Sequence, residues 1–480
     1  MYMRYHLIGG LHMTLDELSK RIETGKTTCT ALTEEVLRRI AENDTGGRKL
    51  NSVCCLNPDA LFQARAIDAE IRRNGRKSPL HGIPVLVKDN IDVKGMITTA
   101  GSEALADNLC MEDAVIVKRL KEAGALILGK ANLSEFAYWM SRQDMPSGYS
   151  SYSGQVVHAW VPGIDPSGSS SGSAVAVSAR LIPFAIGTET DGSLMSPSIA
   201  NAIISIKPTV GLVPRTGILP LSCIQDTAGP MCTSVQDCAD VLQVLSGMDE
   251  NDTASYNACV KDYRSALHTD GKELRIGILR QDYDETALQT IEKAVSILQE
   301  AGAEVKDIAI ETIRQDESEC LMHEFKHDIN VYLHQHHSKC QSLADIIAYN
   351  KAHAKTCLVH GQDLLEASEN KSGRLMEKEY IEKRMELRKT ASENLDGTLK
   401  KYRIDVILSA GARPKGNLSP ISGNPCMSLP AIVPDERDYK PCSWYLMAGA
   451  YREDHLLHTA YILEQKAGIH TCPSWTEELR

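Results

Sequence analysis

Apolar positions near the start of the chain recur at helical intervals. Thr14-Leu15-Asp16-Glu17 has capping-box spacing, in which a threonine hydroxyl and a glutamate carboxylate each satisfy an orphan amide at a helix start. Beyond it Leu32, Val36, Leu37 and Ile40 follow a helical period, so the first fifty residues predict two amphipathic helices that serve packing. Residues 114–120 are again helical in pattern, Gly124 is placed to stop that helix, and Ala125-Leu126-Ile127-Leu128 is a continuous apolar run of strand length. The alternation returns in Arg275-Ile276-Gly277-Ile278-Leu279, followed by a stripe of Ala287, Ile291, Ala294, Val295 and Leu298, and then in Asp405-Val406-Ile407-Leu408. Buried strands alternating with helices predict an α/β fold whose sheet is covered on both faces.

Between these elements lie a Gly/Ser-dense stretch at 162–198 and a polar helical stretch at 311–400, read as a helical insertion. No internal repeat or low-complexity linker interrupts the 480 residues, which favours one large domain over 1–480, with N-terminal helices in 1–70 and a core in 80–250. Lys plus Arg number 52 against 63 Asp plus Glu, a formal charge of −11 without a long basic run, which argues against nucleic acid as a partner. No stretch of about 18 apolar residues and no secretory leader pattern occurs, so the expectation is a cytoplasmic protein without a membrane partner. Fourteen cysteines lie scattered from Cys29 to Cys472 without a CxxC pair, so neither a disulfide framework nor a cysteine metal site is predicted. Oligomeric state leaves no mark on the pattern.

Four motifs compete for the chemistry. Gly124 to Lys130 has phosphate-loop spacing, but Ala131 replaces the magnesium-binding hydroxyl, and the run reads as a strand after a helix. His323-Glu324-Phe325-Lys326-His327 is a literal HExxH, able on a helix to present two imidazoles to zinc with Glu324 as base. The extended pattern fails, however, at Asn330 and Leu333. Gly168-Ser169-Ser170-Ser171-Gly172 contains GxSxG, with Ser170 as nucleophile and His458 or His470 as triad partner, yet two prolines precede it where a strand is required. The fourth combination fits best. Gly82 to Val87 is an apolar strand ending in Lys88, where burial disfavours the charged amine and a serine-rich loop offers hydroxyls to deprotonate. Small residues in Gly187-Thr188-Glu189-Thr190-Asp191-Gly192-Ser193 let backbone amides converge as an oxyanion hole requires.

These segments resemble the amidase signature family. The resemblance runs from His81-Gly82-Ile83-Pro84 and Val87-Lys88-Asp89-Asn90 through Leu128-Gly129-Lys130-Ala131-Asn132-Leu133-Ser134-Glu135-Phe136. It continues in Pro166 to Ser173, Gly187 to Ser193, Ile206 to Gly211 and Gln225 to Met231. It implies a mixed β-sheet wrapped by helices and a Ser–cis-Ser–Lys triad. Ser193 is then the nucleophile, Ser169 the bridging serine after a non-proline cis peptide, and Lys88 the general base. Backbone amides of Thr190, Asp191, Gly192 and Ser193 form the oxyanion hole, and Ser170 is a supporting hydrogen-bonder. The resemblance makes the HExxH core structural and absorbs the other two motifs.

The implied activity is hydrolysis of a carboxamide through an acyl-enzyme, on a small-molecule or peptide amide, with no metal or organic cofactor. The Glu-Thr-Asp-Gly-Ser and Gln-Asp-Thr-Ala-Gly-Pro spellings are similar to the peptide amidase branch. Departures are Asp191 for a glycine, Met195 for an arginine, and the segment 435–441, where the pocket walls are expected to differ. Asp191 is expected to turn its carboxylate away from the reacting carbonyl. Alternatives are an ammonia-transferring subunit of a tRNA-dependent amidotransferase, a zinc hydrolase using His323, Glu324 and His327, and a weakened member that only binds amides. Tyr138, Trp139, Met140, Tyr149, Tyr152 and Trp160 surround a region able to line an acyl pocket, though such residues are as often local packing, and Asp226 reads as a structural hydrogen-bonder.

Overall fold

A computed structural model describes residues 13–280, 284–311, 316–411 and 417–479. Both expected N-terminal helices form, Leu15–Glu23 and Cys29–Arg39. The capping box is made in full: the Glu17 amide donates to Thr14 Oγ1 at 3.3 Å, and the Thr14 amide donates to Glu17 Oε2 at 2.9 Å. Leu15, Leu18, Leu32 and Val36 from these helices join the main core.

Eleven strands build one sheet: β1 (Val53–Leu56), β2 (Pro84–Lys88), β3 (Leu126–Ala131), β4 (Phe184–Glu189), β5 (Ile204–Lys207), β6 (Thr227–Cys232), β7 (Arg275–Leu279), β8 (Glu304–Ile308), β9 (Val406–Gly411), β10 (Cys426–Pro430) and β11 (Ser443–Ala448). Their order is β1-β3-β2-β4-β6-β5-β10-β11-β9-β7-β8. The sheet is mixed, as the resemblance implies. β2 runs parallel to β3 and β4, β7 runs parallel to β8 and β9, and the remaining neighbours are antiparallel. Every residue of β2, β3 and β4 is buried, which is why their sequences read as unbroken apolar runs rather than alternating ones. The outer strand β8 instead exposes Glu304 and Asp307, charges that discourage pairing with another edge.

Helices Ser318–His334, Leu343–Ala352, Asp363–Glu369 and Lys378–Tyr402 occupy the polar stretch. A second core ties the first three of them to the segment that follows β3: Phe325, Ile329, Leu343 and Leu365 pack with Phe136, Trp139 and Met140. Trp139 Nε1 donates to Ser368 Oγ at 3.1 Å, which fixes this junction. The helices therefore wall the region where β2 and β4 end. All fourteen cysteines are free thiols, and no helix among the described residues is long and apolar enough to cross a membrane.

Candidate active site

Parallel pairing of β2 with β4 sets Val87 opposite Ile186, so the next residues, Lys88 and the pair Gly187-Thr188, emerge together. Lys88 Nζ lies 2.7 Å from Ser169 Oγ, 2.9 Å from Thr188 Oγ1 and 3.2 Å from the Thr188 carbonyl oxygen. Asn90 Nδ2 donates to the same Thr188 hydroxyl at 3.0 Å. The Gly168–Ser169 peptide is cis. Lys88 is fully buried, and loss of hydration pulls its pKa down to about 7 even though the Asp226 and Glu189 carboxylates act to raise it.

The turn that carries Ser193 is held from below. Glu189, the last residue of β4, accepts the amides of Leu194 at 2.7 Å and Met195 at 3.0 Å through one carboxylate oxygen. Gly192 takes a left-handed φ of 78°, open to glycine without penalty, and this reverses the chain into the helix Met195–Ala200. The Ser170 amide donates to the Ser193 carbonyl at 3.3 Å, and Ser170 Oγ donates to the Thr188 carbonyl at 3.0 Å. Gly172 lets the helix Ser171–Ser178 approach the backbone after β3, because a Cβ there would lie 2.4 Å from the Asn132 carbonyl oxygen. The glycines and serines of the signature thus join a strand end, a helix start and a tight turn around one point.

At that point opens a cleft of about 320 Å³ lined by Gly168, Ser169, Thr190, Asp191 and Ser193. Its opposite wall is Tyr138, Trp139, Leu221, Glu317 and Leu321, so the helical stretch contributes directly. Asp191 is reached by solvent through the cleft, and its carboxyl meets that of buried Glu317. Protein crowding around the carboxyl, although solvent still reaches it, together with the neighbouring acid raises the Asp191 pKa, and burial raises that of Glu317. Asp191 is turned along the cleft wall, toward Glu317.

The competing motifs end elsewhere. Glu324, of the HExxH, is consumed by Arg384, whose Nε donates to Oε1 at 2.7 Å and Nη2 to Oε2 at 2.6 Å, with Tyr380 OH and Ser222 Oγ completing its shell. His323 faces Glu319 and Glu377, and His327 faces Asp328. The residue typed as a metalloprotease base is a buried structural anion. Glu324→Gln leaves the Arg384 charge buried and unpaired, so the urea midpoint is expected to fall by an amount equivalent to about 3–5 kcal/mol. An unchanged midpoint in equilibrium unfolding would contradict this. The phosphate-loop spacing falls in strand β3, where Lys130 pairs with Asp89 at 3.1 Å. Ser170 is buried at a helix start, while His458 Nε2 lies 2.9 Å from the Asp270 carbonyl oxygen and makes no hydrogen bond to Ser170.

Of the six aromatic-region residues, Tyr138 and Trp139 line the cleft. Met140 is buried in the second core, Tyr149 packs edge-on against His360, Trp160 Nε1 is held by Ser178 and Asn201, and half-buried Tyr152 donates its amide to the Gly101 carbonyl at 3.0 Å, so these four pack locally. Asp226 accepts from Thr190 Oγ1 at 2.5 Å and from the Leu221 and Ser222 amides at 2.8 and 2.9 Å, the structural role expected of it. Three contributors carry no motif-level role: Thr188, which holds the lysine amine; Glu189, which holds the serine turn; and Glu317, which lies 124 positions after Ser193 in sequence. For the first two, their place inside the signature block was the available signal. Glu317 gave none.

A family model described as Amidase matches residues 31–418. A probable amidase of Arabidopsis thaliana is 35% identical, the alignment covering 96% of this chain and 91% of that protein. The native peptide amidase of Stenotrophomonas maltophilia superposes with a TM-score of 0.91 at 37% identity, covering 98% of this chain and 99% of that one. A glutamyl-tRNA(Gln) amidotransferase component from Methylococcus capsulatus is 39% identical over 302 residues, 62% of this chain and 60% of that protein.

Proposed function

The chain belongs to the amidase family and is an amide-hydrolysing enzyme, and from that premise we propose that it cleaves carboxamides, C-terminal peptide amides foremost, through an acyl-enzyme on Ser193. The observation that carries the proposal is the 2.7 Å approach of Lys88 Nζ to Ser169 Oγ, with Ser169 and Ser193 on one cleft. A neutral amine has two N–H groups and one lone pair. The Thr188 carbonyl and hydroxyl take the two N–H groups, which leaves the lone pair for the Ser169 proton. Ser169 can then accept the proton of Ser193 as its Oγ bonds to the carboxamide carbon.

The developing oxyanion is held by backbone amides of Thr190, Asp191, Gly192 and Ser193, each worth roughly 2.7–4 kcal/mol of barrier in comparable sites. The C–N bond breaks as the relayed proton returns along the same line to the leaving nitrogen, which departs as ammonia. Water then repeats the path in reverse and frees the acid and Ser193. A peptidic acyl group is supported by whole-length similarity to a peptide amidase, where similarity to the amidotransferase component spans about three fifths of the chain. Asp191 and Glu317 offer polar groups to the substrate along the wall.

The test is ammonia release from a C-terminal peptide carboxamide as a function of pH. Below the Lys88 pKa of about 7 the amine is protonated and cannot accept. The ratio kcat/KM is therefore expected to rise about tenfold per pH unit on the acid side and to level off above neutrality. No ammonia released, or an acid limb displaced by about two units from neutrality, would count against the proposal.

A further inference from the structure

Asp92 lies four residues beyond Lys88, and it belongs to a second group of reactive side chains that the hydrolysis does not use. Among the described residues, Asp92, Cys110 and His336 are the set whose three donor atoms of metal-binding type lie within 4.8 Å of one another. His336 Nε2 is 2.8 Å from Asp92 Oδ2, and Cys110 Sγ is 3.1 Å from Asp92 Oδ1. From this juxtaposition of thiol, imidazole and carboxylate we propose that the protein binds one zinc-class divalent ion between Cys110, His336 and Asp92.

Zinc bonds of about 2.0–2.3 Å at tetrahedral angles hold donor atoms about 3.3–3.6 Å apart; the two hydrogen-bonded pairs, each on a different Asp92 oxygen, part by roughly half an ångström, and the Cys110–His336 pair already lies within 4.8 Å. Outer contacts already orient the donors. His336 Nδ1 lies 2.8 Å from the Tyr332 carbonyl oxygen, which can only accept, so Nδ1 keeps a proton and Nε2 is the ligating nitrogen. Tyr332 OH donates to Asp92 Oδ1 at 2.7 Å, and its ring stacks on His336 with centroids 3.8 Å apart. Thr98 Oγ1 lies 3.1 Å from Cys110 Sγ and receives Lys130 Nζ at 2.9 Å.

Binding forms bonds to Sγ, Nε2 and a carboxylate oxygen, and any protons on Sγ and Nε2 leave to solvent as the ion enters. A thiolate with an imidazole favours zinc over magnesium or calcium, and three protein ligands leave a fourth position for water. Asp92 and Cys110 are buried, while the His336 side chain keeps 14% exposure and supplies the way in. The ion would join the chain just beyond the Ser318–His334 helix to the segment after β2, a bond between the helical stretch and the loop that follows the catalytic lysine.

The experiment uses the full chain, stripped with chelator and dialysed against zinc or cobalt(II). One equivalent is expected to remain, the cobalt form showing a thiolate-to-metal charge-transfer band and the intense visible bands of a tetrahedral site, and zinc is expected to raise the melting temperature. Cys110→Ser and His336→Gln should each weaken binding by at least about 100-fold, and Tyr332→Phe by about 10–100-fold. His327→Gln, in the HExxH helix, should leave it unchanged. His336 is partly exposed, so its glutamine variant should keep the fold, checked by circular dichroism and by amide turnover of the metal-free protein. Failure to retain an equivalent, a cobalt spectrum without the thiolate band, or binding indifferent to both Cys110→Ser and His336→Gln overturns the proposal.

Discussion

Ser193→Ala is expected to lower kcat for amide hydrolysis by about 10⁴–10⁶-fold while changing KM by less than a factor of about three. The split follows from where Ser193 sits. Its side chain is buried on the cleft, whose other walls include Tyr138, Trp139, Leu221 and Glu317, which the substitution does not touch. Losing the hydroxyl removes the atom that bonds to carbon and leaves the backbone amides around Gly192 in place. The residual rate is that of positioning and oxyanion stabilisation alone. The fold should survive, because the Ser193 carbonyl still accepts from Ser170 and the turn is held by Glu189 through the next two amides. Intact mass after treatment with a fluorophosphonate checks the same point directly: one adduct on Ser193 in the wild type and none in the variant. An adduct that persists on Ser170, or turnover within about tenfold of wild type, would move the nucleophile elsewhere.

The parts of this fold that were legible in the sequence are those where one local pattern decides. β2, β3, β7 and β9 show as apolar runs because strands covered on both faces have no polar alternation to hide them. The capping box at Thr14 shows because its hydrogen bonds span three residues. Ser169, Ser170 and Ser193 lie in a stretch that stands out for another reason: glycine and small hydroxyl residues gather where backbone approaches backbone, as at Gly172, and so they mark the candidate site, to which β2 brings Lys88. What stayed hidden depends on partners far apart in the chain. Glu324 reads as a metalloprotease base until Arg384 is seen 60 positions later, and Glu317 reads as one more charge on a polar helix until its carboxyl is seen beside Asp191. The HExxH spacing points to His323 and His327, whereas the donor cluster uses His336 with residues from two other segments. Trp160 and Met140 sit near the signature in sequence, but aromatic and thioether side chains fill a core as readily as a pocket.

Lys88→Met is expected to lower kcat/KM by about 10²–10⁴-fold, the usual worth of a positioned general base, and to abolish the acid limb near pH 7. Methionine keeps the apolar stem that passes through the core beside β4 and deletes the amine. The amine is an expensive group to bury, so its removal should leave the denaturation midpoint unchanged or raised, and lost activity with retained stability then isolates the chemical role. Glu189 and Asp226, the carboxylates that act on the lysine, have Lys207 and Arg215 as their own opposing charges, and each is held by two backbone amides, so neither depends on Lys88. Lys88→Arg separates charge from basicity: a guanidinium keeps the positive charge but cannot surrender its proton, so it should be as inactive as methionine although it restores the ion. Measured kcat/KM across pH for both variants, with fluorophosphonate labelling of Ser193 slowed in parallel, would tie the base to the nucleophile. An arginine enzyme that recovers wild-type turnover would instead assign Lys88 an electrostatic role and send the search for the base to another group on the cleft.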